Sequence, residues 1–92
     1  MLTYQQKKDI LTVTLFQSQR LGSSEKLVAL CMVFNIDDKG HVDMRLPEIS
    51  YMSRLHKRTV IRIIKTLSDK IGLEVSVKGR KNIYYFVQWK SL

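Results

Sequence analysis

The stretch that starts at Lys57 and runs to about Lys70 constrains this chain more than any other. On a helical wheel at about 100° per residue, Ile63, Ile64, Leu67 and Ile71 lie within about 60° of Val60. Arg58, Arg62 and Lys65 lie within about 40° of the opposite direction. A segment patterned in this way folds as an amphipathic helix, laying its apolar stripe on a core and holding its cations in water. Whatever else the chain forms must supply that core.

The charge is concentrated around the same helix. The whole chain of 92 residues carries +8. Between residues 54 and 81 the basic groups Arg54, Lys57, Arg58, Arg62, Lys65, Lys70, Lys78, Arg80 and Lys81 face only Asp69 and Glu74, a net of +7. A localised positive field attracts a polyanion, whereas evenly spread charge mainly serves solubility. Chain length allows one domain with one modest core. The 45% apolar content is that of a globular protein.

Around the long helix the pattern predicts helix, helix, strand, helix, helix, strand, strand. Residues 2 to 21 admit a helix or a strand, and helix is the reading adopted. Thr3 and Gln6 fit a capping box, and Gly22 is expected to close the helix in a left-handed conformation. Ser23 or Ser24 is expected to cap a second helix, with Leu27, Leu30, Cys31 and Phe34 facing the core. His41 to Leu46 alternates as a short strand, and Pro47 opens a short helix reaching Ser53. Arg54 and Leu55 form a turn, with His56 as the cap of the long helix. Leu73, Val75 and Val77 predict a strand, Lys78 to Asn82 a turn, and Ile83 to Trp89 a second strand.

An α-helix of this diameter fits the major groove of B-DNA, where Arg and Lys reach guanine O6 and N7. Ile49-Ser50, Leu55-His56 and Thr59-Val60, followed by Arg62, Ile64 and Leu67, resemble the winged helix-turn-helix pattern of bacterial and phage regulators. Gly72-Leu73, a basic turn, and Asn82 with Tyr84-Tyr85 resemble that family's wing. The resemblance spans roughly residues 24 to 89. It implies an α+β, mainly α fold: a winged helix-turn-helix domain over residues 23–92, preceded by an N-terminal extension over residues 1–22. It also implies recognition-helix roles for Lys57, Arg58, Thr59, Arg62 and Lys65, and wing-tip roles for Lys78, Arg80, Lys81 and Asn82. Arg54 stands where the family often has glycine, so a left-handed non-Gly residue is expected there. His56 stands where serine often caps, which points to a phosphate contact.

The function expected is sequence-specific binding of double-stranded DNA by a small transcription regulator, cytoplasmic and associated with the nucleoid. A phage or plasmid replication-initiation or partition protein and a winged-helix protein-interaction module are the alternatives. A homodimer is expected through the N-terminal segment, because Ile10, Leu11, Val13, Leu15 and Phe16 spread around the wheel instead of forming one stripe. Catalysis is not expected: His41 and His56 have no Ser, Cys or paired carboxylate at a recognisable spacing, and no Gly-rich phosphate loop is present. No cofactor, metal, membrane or small-molecule partner is expected. Asp37 to Gly40 lacks the alternating oxygen ligands of a calcium loop, and Cys31 has no second thiol with which to build a zinc site. Trp89, Tyr84 and Tyr85 admit either base stacking or core packing.

Overall fold

Thr3 starts the first helix as its spacing to Gln6 predicts. The Thr3 hydroxyl accepts the Gln6 N–H at 3.1 Å, and the Gln6 side chain accepts the Thr3 N–H at 2.9 Å. The computed structural model, which describes residues 1–79 and 81–92, continues this helix as α1, Tyr4–Phe16. It ends on Gln17, well before Gly22. Gly22 instead has an extended backbone and precedes α2, Ser23–Phe34, donating its N–H to Glu25 Oε1 at 3.1 Å. Ser23 and Ser24 are therefore already helical and neither is the cap.

Helix α2 is turned relative to the expected stripe. Val28, Ala29, Cys31, Met32 and Val33 are buried, while Leu27 and Phe34 are exposed. The reason lies in its position. α2 packs against α1 and against two further helices, α3 (Leu46–Ser53) and α4 (Lys57–Ile71), so little of its circumference is left outside. A helix that is apolar nearly all round can satisfy such packing in several rotations. Burial also pushes the Cys31 thiol pKa up, making it a poorer nucleophile.

Three antiparallel strands complete the fold: β1 (His41–Asp43), β2 (Glu74–Lys78) and β3 (Lys81–Tyr85), in the order β1-β3-β2. Tyr84 is the pivot of the sheet, paired with Val42 on one side and Val75 on the other. β1 stops at Asp43 because Leu46 and Pro47 already belong to α3, and proline lacks the N–H a strand ladder needs. β3 likewise ends at Tyr85 instead of Trp89. The chain then turns through a 3₁₀ segment, Val87–Ser91, that buries Trp89. Tyr84 and Trp89 are thus core residues, not a stacking surface.

The core is continuous from Leu11 and Leu15 of α1, through Met32, Ile49, Val60 and Leu67, to Tyr84, Phe86 and Trp89. This corrects the reading of α1 in part. Leu11 and Leu15 are buried in their own chain, whereas Ile10, Val13 and Phe16 are exposed. A helix laid across a domain hides one face only, so only those three of the five remain available to a second copy.

Candidate nucleic-acid interface

The α3–α4 corner is held by short serine contacts. Ser53 is buried; its hydroxyl donates to the Ile49 carbonyl at 2.7 Å and accepts the Leu55 N–H at 3.3 Å. Ser50 donates to the Leu55 carbonyl. Between them Arg54 takes the left-handed conformation expected at this position, φ 59° and ψ 27°. His56 Nδ1 then accepts the Arg58 N–H at 3.3 Å, satisfying one of the unpaired donors at the start of α4.

Helix α4 is built as its pattern requires. Val60, Ile63, Ile64 and Leu67 are buried. Lys57, Arg58, Ile61, Arg62 and Lys65 are exposed, and Thr59 is half-buried. Ile61 is 53% exposed, an apolar side chain standing among cations on the outer surface. Arg62 and Ile63 share a cleft with Gly22, Ser23 and Glu25 at the N-terminus of α2. Glu25 titrates below the usual carboxylate range because it accepts the Gly22 N–H and, second, because Lys70 donates to it at 3.0 Å; Arg62 adds a smaller effect in the same direction. Lys70 Nζ also donates to the Arg20 carbonyl at 2.9 Å, so this cation of the basic segment ties α4 to the loop before α2.

The β2–β3 hairpin supplies the second set of cations. Its closing pair is Lys78 opposite Lys81, and Gly79 has φ +65°, a conformation that glycine adopts without the penalty of a Cβ. Lys81 is not free: its Nζ donates to Asp43 Oδ2 of β1 at 2.9 Å. Asn82 is half-buried. Arg80, expected at the wing tip, lies outside the described residues.

One basic residue was missed in the sequence. Arg45 joins Lys78, Lys81, Asn82 and Tyr84 around an open cleft of about 660 Å³ between the start of α3 and the hairpin. Its place just before Leu46-Pro47-Glu48 marks it as a residue at a helix start, but only the folded sheet brings it opposite the lysines. Among the described residues no group of three or more His, Cys, Asp or Glu could hold a metal ion. None of their helices is long and apolar enough to cross a membrane.

No family model matches the chain, and a search of curated protein sequences gives no match. Among solved structures, the chain is similar to Bordetella bronchiseptica BpsR, a protein whose DNA binding is regulated by 6-hydroxynicotinic acid. The TM-score is 0.55 at 21% sequence identity, with 92% of this chain and 65% of that chain covered. The chain thus spans about two thirds of the length of BpsR, and at this identity the likeness is one of fold. The fold is α+β and mainly helical, with four α-helices and a three-stranded antiparallel sheet among the described residues.

Proposed function

We propose that this chain binds double-stranded DNA with sequence preference and acts as a small regulator of transcription. The observation that carries the reading is α4. Its apolar stripe packs into the core through Val60, Ile63, Ile64 and Leu67, and its remaining face holds Arg58, Arg62 and Lys65 exposed to water. Placed in the major groove, Arg58 and Arg62 reach base edges, and Ile61 is positioned to meet a thymine methyl. Arg54, His56 and Lys57 at the helix start, and the hairpin cations, then meet the phosphate backbone. The likeness in fold to a DNA-binding protein supports the same reading.

Fluorescence anisotropy on duplexes selected from a random pool tests it. If about 4–6 phosphates are neutralised, log K falls with log salt at a slope near −4 to −5. Arg58→Ala or Arg62→Ala weakens the preferred site by about 1–3 kcal/mol and relaxes one base position. No enrichment in the selection, together with no duplex binding at low salt, defeats the proposal and leaves the protein-interaction module as the reading.

A further inference from the structure

We propose that the cleft between the start of α3 and the β2–β3 hairpin is a binding site for a phosphate ester. Three observations converge on it. First, Arg45, Lys78 and Lys81 line one cleft, and no carboxylate is among its lining residues. Second, Lys78 and Lys81 are direct partners across the hairpin, an arrangement in which like charges repel. Asp43 offsets one of these cations through its 2.9 Å contact with Lys81; among the described residues the Lys78 ammonium and the Arg45 guanidinium make no ion pair, and Glu48 accepts only the Arg45 backbone N–H, at 3.0 Å. Third, Tyr84 lines the same cleft with its side chain 0% exposed and its hydroxyl unpartnered among the described residues. A buried hydroxyl without a partner is uncommon and costs stability, so a group that supplies an acceptor there is favoured.

The chemistry selects the ligand. Arg offers a planar fork of donors that matches phosphate oxygens, and Lys adds point charge. Asn82 contributes an amide at the same edge. Leu46 and Pro47 flank the cleft with apolar surface that suits the carbon skeleton of an ester. The phosphate comes either from a nucleic-acid backbone or from a free phosphorylated molecule. The first source rests on the DNA reading above; the second does not.

Titration of the full chain with inorganic phosphate, followed by amide NMR at constant ionic strength, tests the site without DNA. Saturable shifts confined to Arg45, Leu46, Lys78, Lys81 and Asn82 at millimolar phosphate are expected, with chloride giving none. Arg45→Gln weakens this binding several-fold, and Asp43→Asn strengthens it by releasing Lys81. Tyr84→Phe keeps the ring, and so the core, but lowers phosphate affinity. In parallel, Arg45→Gln is measured against duplex DNA. A loss of about tenfold on all sequences alike, with the salt slope reduced by about one, assigns the phosphate to the backbone. Unchanged duplex affinity beside intact phosphate binding in the wild type assigns it to a free ligand. Phosphate binding in a chain that binds no duplex upholds the site while defeating the DNA reading. No saturable shift, combined with no effect of Arg45→Gln on duplex affinity, overturns the proposal.

Discussion

The indole of Trp89 closes directly over Gly40: a Cβ built on Gly40 would lie 2.7 Å from both Cβ and Cγ of Trp89. Two hydrogen bonds secure the contact. Trp89 Nε1 donates to the Asp38 carbonyl at 3.1 Å, and the Phe86 N–H donates to the Gly40 carbonyl at 3.2 Å. The C-terminal 3₁₀ segment is thereby fastened to the turn before β1. Gly40 also has φ +86°, which L side chains rarely adopt.

Gly40→Ala therefore meets two penalties, a strained backbone and an overpacked contact with Trp89. Together they amount to about 2–4 kcal/mol. Urea denaturation followed by Trp89 fluorescence measures this directly. A loss below about 0.5 kcal/mol would show that the indole yields freely and that the contact is not a constraint.

Arg54 offers the opposite case. It is the one described non-glycine residue with positive φ, and it is exposed. Arg54→Gly relieves the left-handed strain and is expected to stabilise the fold by about 0.5–1 kcal/mol. The same change removes a cation from the start of α4, so duplex affinity falls while the urea midpoint rises. The two effects moving together in one direction would contradict the division of roles.

Glu25 gives the fold a pH dependence. Its folded-state pKa is depressed by the Gly22 N–H and by Lys70, so its contribution is fully present above the unfolded carboxylate value of about 4.3. That contribution disappears as the pH falls through the lower folded value. Glu25→Gln should cost less than about 1 kcal/mol near neutral pH, because Lys70 is more than a third exposed and screened by water. The difference between the two proteins should shrink as the pH falls below about 4. A constant difference from pH 7 to pH 3 would place the effect in packing instead of charge.

A homodimer through α1 now has a narrower basis. Val13 and Phe16 are exposed while Leu15 is core, so Val13→Asp with Phe16→Asp tests association without unfolding the chain. Sedimentation at tens of micromolar should give a dimer for the unmutated protein and a folded monomer for the variant. A monomeric parent protein ends the idea and leaves the exposed apolar residues of α1 as surface.

What the sequence determined by itself was local. The cap at Thr3, the turn at Gly79 and both faces of α4 follow from spacing, residue type and one period of 3.6. In each case the deciding partners lie within a few residues of one another. Tertiary structure decided the rest. Leu27 to Phe34 is apolar almost without interruption, so no wheel could say that Val28 and Met32 would face in and Phe34 out; the positions of α1, α3 and α4 chose. Leu15 entered the core and Phe16 did not, although the two are adjacent and equally apolar. Trp89 left the strand because Gly40, 49 positions away in sequence, left room for its ring. Arg45 came to face Lys78 and Lys81 because β1 pairs with β3, a contact between segments that no local pattern links. Local rules fix what a segment can be, and the burial of shared surface then fixes which of its faces is used, since that free energy depends on which other segments are present to cover it.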